Sequence, residues 1–269
     1  DQMDGEPKTA ADISAAGFFE ELFGNDTAWT YETGKLPGFG AAVEMPEYLV
    51  NGSDPNFFGA GTSENPYQIN TPAQLAKLAE LVNEGNASYN AAHYKLMNNL
   101  DLSAYGKDYD DGKGWTPIGN TYEQPFKGIF DGNGKTITEL YINQSGQSHV
   151  GLFGSISRGT ANNLALQNVS IKGSQSVGGV TGSVYEGGMV QGCFVSGIMS
   201  GADYIGGVVG HVHASTVQNC YSAVSLTSTS TNGSGGVIGR INFGTVKNCY
   251  SIGSVAGIAG NGGIGGLVG

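Results

Sequence analysis

Five copies of one short glycine pattern divide the second half of the chain. Val150-Gly-Leu-Phe-Gly154 returns as Gly178-Gly-Val-Thr-Gly182, Gly206-Gly-Val-Val-Gly210, Gly235-Gly-Val-Ile-Gly239 and Gly265-Gly-Leu-Val-Gly269. The closing glycines at 154, 182, 210, 239 and 269 are separated by 28, 28, 29 and 30 residues. A unit this short cannot bury an apolar face alone. Stacking copies supplies the core, so a period of roughly 20–50 residues specifies a solenoid or array.

Within each unit the apolar residues alternate. Two positions before the closing glycine stand Leu152, Val180, Val208, Val237 and Leu267; two positions after it stand Ile156, Val184, Val212 and Ile241. That is the period of a strand with one buried face, and the glycine between makes room for bulky neighbours or a bend. About ten residues on, a second strand is marked by the column Leu164, Cys193, Cys220, Cys249. A third apolar set, Ile171, Ile198, Leu226 and Val255, completes the unit. Three short strands per coil, turning at Gly, Ser and Asn, describe a parallel β-helix with rungs about 4.8 Å apart. Parallel crossovers are nearly always right-handed, so the expected fold is an all-β, right-handed parallel β-helix.

Val217-Gln-Asn-Cys-Tyr-Ser222 and Val246-Lys-Asn-Cys-Tyr-Ser251 follow their glycine motifs, with Val190-Gln-Gly-Cys-Phe-Val195 as a weaker copy. This combination resembles the GLUG-motif repeats of bacterial surface proteins. The likeness extends upstream through Phe126-Lys-Gly-Ile-Phe-Asp-Gly-Asn-Gly-Lys135. The resemblance implies a secreted or cell-surface, adhesin-like protein with a host surface protein or a carbohydrate as partner. Such repeats also accompany peptidase domains in immunoglobulin A proteases, but no His-Glu-x-x-His occurs in this chain.

Charge narrows the partners further. The net charge is −11, and the twelve basic residues are scattered among 269. Phosphate backbones and anionic membranes require clustered Lys and Arg, so neither is expected as a partner. No apolar run is long enough to span a bilayer as a helix, and no signal peptide opens the chain. The three cysteines share one column at rung spacing, which suits a bridge between neighbouring rungs or a reduced ladder. Leu164 in the same column favours the ladder, since a buried free thiol behaves as a small hydrophobe.

The first half is less regular. Residues 1–40 read as a short helix over 9–22, with Phe18, Phe19 and Leu22 on one side, then Trp29-Thr-Tyr31 and Gly34-Lys-Leu-Pro-Gly38. This segment resembles the element that closes a block of GLUG repeats. The chain is therefore expected to be a piece of a longer protein, in which 1–40 can dock on an open solenoid end and support head-to-tail self-association. Residues 41–60 read as a linker, and 61–149 as a capping helix with irregular first coils ahead of the repeats at 150–269. Thr71 as N-cap, Pro72 at the first helical position and Gly85 as stop bound an amphipathic helix that covers the first coil. Tyr94–Leu102 reads as a strand, Trp115–Gly119 as a strand start, and Asp131-Gly-Asn-Gly134 as a tight turn. Asn163, Asn219 and Asn248 read as a corner ladder, since Asn tolerates left-handed geometry.

Three kinds of chemistry have candidate residues. Hydrolysis or elimination on a polysaccharide needs converging carboxylates, and Asp101, Asp108, Asp110, Asp111 and Asp131 are concentrated in 86–135. From residue 150 onward the acids are Glu186 and Asp203, 17 residues apart, which is not a rung spacing. His211 and His213 share one strand face, expected to point outward, but a zinc site needs a third ligand. The loop of Asp108, Asp110 and Asp111 lacks the spacing of an EF-hand, so no metal or other cofactor is expected. Recognition has the best candidates. Phe194, Tyr221 and Tyr250 each follow a column residue, so with the column inward they face outward as a stacked strip. Aromatic faces stack on sugars, and such pairs also stabilise neighbouring strands. The sequence thus leads to a non-catalytic adhesin-like wall. A ligand-free spacer and a polysaccharide-active lyase or glycosidase are the alternatives.

Overall fold

The computed structural model describes residues 29–30, 32, 35–36, 38–44, 56–229, 232–257 and 263–269. The expected helix over 9–22 lies outside them. The described parts of the N-terminal segment form two small antiparallel pairs, Trp29–Thr30 with Gly38–Phe39 and Lys35–Leu36 with Val43–Glu44.

The remainder is a β-solenoid whose strands pair in parallel, rung on rung. Each full coil has four strands rather than three. In the coil after His149 these are Phe153–Ser157, Thr160–Asn162, Ala165–Lys172 and Gln175–Gly178, and their equivalents stack into walls one to four. Wall two is seven strands tall, from Tyr67–Ile69 to Thr245–Lys247. The extra wall arises because the glycine motif spans two strands. Its first glycine ends wall four, and its closing glycine lies in wall one of the next coil.

Glycine is needed there because the two walls touch backbone to backbone. A Cβ on Gly206 would lie 2.1 Å from the Val209 carbonyl oxygen and 2.5 Å from the Gly239 nitrogen. A Cβ on Gly178 would approach the Gly210 nitrogen to 2.6 Å, and one on Gly235 the Gly269 nitrogen to the same distance. The first glycine of each of these motifs therefore packs on the closing glycine of the next motif. The alternating apolar residues beside them, Val180, Val208, Val237, Val184 and Val212, are fully buried.

The cysteines point into the core, but they occupy the corner between walls two and three rather than a strand. Leu164, Cys193 and Cys220 are buried and Cys249 is half-buried; all three cysteines are free thiols. Each donates weakly to the carbonyl two residues back: Cys193 Sγ to Gln191 at 3.3 Å, Cys220 Sγ to Gln218 at 3.2 Å, Cys249 Sγ to Lys247 at 3.3 Å. The adjoining residues take the left-handed geometry assigned to them, with φ of 53° at Asn163, 54° at Asn219, 52° at Asn248 and 61° at Gly192.

The third apolar set needs one correction. Ile198 is 60% exposed, and Met199 takes the core position in register with Ile171 and Leu226. Six residues beyond Cys193, the spacing from Cys220 to Leu226, stands Met199; a bulge at Gln167 and Asn168 adds the one extra residue between Leu164 and Ile171.

The first coils are filled differently. The helix Pro72–Asn83 begins as expected, with Thr71 Oγ1 accepting from the Gln74 N–H at 3.2 Å. Leu75, Leu78, Leu81 and Val82 are buried over the first coil, closing an end whose apolar core would otherwise meet water. Below them aromatic rings fill the interior: Tyr94 to Phe126 at 6.0 Å, Phe126 to Phe153 at 5.1 Å and Phe130 to Phe153 at 5.3 Å. The stretch read as a linker runs into this cluster, because Phe57 is buried 5.7 Å from Tyr94. Tyr94–Leu102 is two strands around a corner, His93–Leu96 and Leu100–Asp101. Trp115–Gly119 makes only an isolated parallel bridge, Ile118 to Phe153, and Trp115 is buried with its indole N–H on the Leu152 carbonyl at 3.2 Å.

The glycine contacts set a test. Gly206→Ala must push apart two backbones, and overpacking of this kind costs about 1–3 kcal/mol or more. Gly146→Ala meets no atom within 4 Å and should be neutral or slightly stabilising. Chemical denaturation of the two variants measures the contrast; equal midpoints would show that the wall contact is not rigid.

Candidate functional site

The aromatic file begins where wall three begins. Phe194, Tyr221 and Tyr250 are the first residues of Phe194–Gly201, Tyr221–Ser228 and Tyr250–Ser251, and they pair in register. Their neighbours toward the chain's N-terminal side are inward thiols, so the rings face out. Phe194 and Tyr221 stack with centroids 4.4 Å apart and planes 24° apart; Tyr221 and Tyr250 stack at 5.0 Å and 7°. The spacing is that of the rungs, so strand pairing holds the rings parallel without further support. Tyr250 is exposed and the other two are half-buried.

The file stops abruptly below Phe194. The next residues in register are Ala165 and then Thr136. Here a groove of about 440 Å³ opens, bordered by Phe194, Ala165, Asp131, Asn133, Asn163 and Gly192. The Asn corner ladder breaks at the same rung. Asn248 Nδ2 donates to Asn219 Oδ1 at 3.1 Å, but Gly192 has no side chain to continue the series. Asn163 instead donates through Nδ2 to Asp131 Oδ1 at 3.2 Å, and Asp131 Oδ1 also accepts the Asn133 N–H at 2.9 Å. Sequence reasoning found the rings, and singled out Asp131 as a carboxylate and Asn163 as a corner residue, but did not bring them or Asn133 beside the rings. The signal was present as two departures from the repeat, Gly at 192 and Ala at 165.

Wall one carries a second polar surface. Ser155, Ser183, His211 and Arg240 stack in one column on the side away from the core, and Ser157, Tyr185, His213 and Asn242 in the next; the serines and Tyr185 are buried, so the surface belongs to the later coils. His211 and His213 therefore share a face, as expected. His211 contacts Asn242 Nδ2 through Nε2 at 3.2 Å, and Arg240 lies 4.7 Å over the Tyr204 ring. Burial, Arg240, His213 and His149 together push the His211 pKa down to about 4. Tyr185 stacks on Tyr122 at 4.6 Å, and burial raises its hydroxyl. Among the described residues no group of three His, Cys, Asp or Glu could hold a metal ion.

The acidic candidates are divided among separate elements. Asp101 ends a strand of wall three and accepts the Ser103 N–H at 2.8 Å, which lowers its pKa. Asp108, Asp110 and Asp111 lie in an exposed turn, where Asp110 pairs with Lys113 at 3.4 Å. Asp131 borders the aromatic groove. In the repeats, Glu186 pairs with Arg158 at 3.3 Å and Asp203 accepts from Asn232 at 3.2 Å. Hydrogen bonding with Cys193 and burial push the Cys220 thiol up to about 12, and hydrogen bonding with Cys220 and burial also raise Cys249.

The chain is similar to long surface-type proteins. Halomucin of Haloquadratum walsbyi is 38% identical over 128 residues, which are 47% of this chain and 1% of halomucin. A protein provisionally named a Gly-rich membrane protein, from Evansella cellulosilytica, is 36% identical over 144 residues, 51% of this chain and 16% of that protein. The likeness thus covers about half of this chain and a small part of either relative. Among solved structures, a Bacteroides ovatus chain provisionally titled an immunoglobulin A1 protease superposes with a TM-score of 0.56 over 79% of this chain and 87% of its own. At 16% identity that likeness is one of fold. No protein-family model matches the chain. No described helix is long and apolar enough to cross a membrane.

The buried histidine gives a pH dependence. His211 is held neutral, with a folded pKa of about 4 against 6.5 unfolded, so the unfolded chain binds the extra proton between those values. Its contribution to stability is present above pH ~6.5 and is lost as pH falls toward ~4. After screening, the effect should be on the order of 1 kcal/mol. Melting temperatures from pH 7 to 4.5 should fall more steeply for the wild type than for His211→Gln; parallel curves would show that His211 titrates normally.

Proposed function

We propose that this chain is a non-catalytic, exported repeat domain of GLUG type from a cell-surface protein, adhesin-like, whose third wall binds carbohydrate. The observation that carries this reading is the outward file of Phe194, Tyr221 and Tyr250, with its rings held parallel by the rungs. Stacked aromatic faces offer C–H-rich sugar rings a flat apolar surface at low entropic cost. A surface location is supported by the names of the relatives, halomucin and a Gly-rich membrane protein. A non-catalytic role is supported by the acidic side chains. Asp101, Asp110, Glu186 and Asp203 are each engaged in a local cap, ion pair or hydrogen bond on a different element.

A glycan array tests the reading. The wild type should retain at least one class of oligosaccharide. The triple variant Phe194→Ser/Tyr221→Ser/Tyr250→Ser should lose roughly tenfold or more in affinity. Its stability should fall by about 1–3 kcal/mol, the worth of two aromatic stacks. Absence of any bound glycan would favour a ligand-free spacer; undiminished binding by the triple variant would move the site off wall three.

A further inference from the structure

We infer that the groove below Phe194 is a subsite for one neutral pyranose ring, which occupies the place where the next ring of the file would stand. This inference rests on the carbohydrate reading of wall three and goes beyond it, because it assigns the polar contacts and the sugar class.

The geometry follows from the register. One face of the Phe194 ring is covered by Tyr221 at 4.4 Å. The opposite face looks along the column toward Ala165, whose methyl replaces a ring. The unfilled space is the groove of about 440 Å³. A pyranose stacked on an aromatic ring sits at about the same separation as two stacked rings. The sugar therefore fits the rung spacing that strand pairing already imposes.

The polar rim matches sugar hydroxyls. Asp131 Oδ1 is held by the Asn133 N–H at 2.9 Å and Asn163 Nδ2 at 3.2 Å, which fixes the carboxylate plane. Asp131 Oδ2 has no hydrogen-bond partner among the described residues, and neither has Asn163 Oδ1. The orientation of the Asn163 amide is set by its neighbours, since Nδ2 faces two acceptors, Asp131 Oδ1 and Asn162 Oδ1. Two fixed acceptors beside an aromatic face suit two hydroxyl donors on one ring edge. A Cβ at Gly192 would lie 3.0 Å from Asn163 Oδ1, so glycine keeps this acceptor accessible.

Charge selects the sugar class. Asp131 forms no ion pair among the described residues, and the whole chain carries −11. The cation in register beside Asp131 is Lys95 on the adjoining strand, and a uronic or sialic acid would have to compete with the Asp131 carboxylate for it. A neutral sugar meets no such penalty, and a hydroxyl–carboxylate hydrogen bond is among the stronger neutral-ligand contacts.

The test uses the full chain against immobilised neutral oligosaccharides of glucose, galactose, mannose and N-acetylglucosamine, with hyaluronan as the anionic control. Ala165→Tyr should extend the file into the groove. It should reduce neutral-sugar binding at least tenfold while the melting temperature holds or rises. Asp131→Asn keeps the side-chain shape and should weaken binding roughly tenfold, which guards against misfolding of the first variant. If the wild type binds and Tyr250→Ser abolishes binding while Ala165→Tyr and Asp131→Asn bind normally, the carbohydrate reading stands and the subsite is overturned. Preference for hyaluronan overturns the neutral-sugar assignment. Retention of no glycan at all overturns both.

Discussion

Two backbones touch where wall four meets wall one, and the cross-section of the coils from Phe153 onward follows from that contact. A Cβ at Gly178, Gly206 or Gly235 would lie within 2.6 Å of a closing-glycine nitrogen in a following coil. No other residue permits that approach, so the motif must return once per coil. With this corner fixed, wall two, the cysteine corner and wall three have a set perimeter to cross. The interior is then narrow, which suits Val and Cys in the later coils. The early coils are wider and take Tyr94, Phe126, Phe130 and Phe153.

Rigidity at that corner has a consequence on the opposite side. Wall three pairs in register at the start of its strands, so its first residues stack at the rung spacing. Phe194, Tyr221 and Tyr250 hold their parallel arrangement because the backbone does, not because the rings attract one another strongly. A rigid file loses little conformational freedom when a ligand stacks on it. The exposed end at Phe194 exists because two columns change residue in neighbouring coils, ring to Ala165 in one and Asn to Gly192 in the next.

Much of the fold was legible from the period. The stacked columns, the inward thiols, the left-handed Asn corner and the capping helix with Thr71, Pro72 and Gly85 all follow from local rules of alternation, turns and caps. The number of walls was not legible, because one glycine motif serves two strands and nothing in alternation marks the corner between them. Ile198 was assigned to the core as the β-branched residue near the third position, although the spacing that Cys220 and Leu226 keep leads from Cys193 to Met199. The rings of the candidate site were legible as a repeated position. The placement of Asp131 and Asn133 beside them was not, because they reach the groove from a preceding coil through register that only the assembled solenoid sets.

The most direct test of the account is a crystal structure of the chain with the neutral oligosaccharide it binds best. The account predicts density for one pyranose ring parallel to Phe194 on the face opposite Tyr221, with hydroxyls within hydrogen-bond distance of Asp131 Oδ2 and Asn163 Oδ1. Sugar density on wall one, or on wall three with the groove beside Ala165 empty, would contradict it.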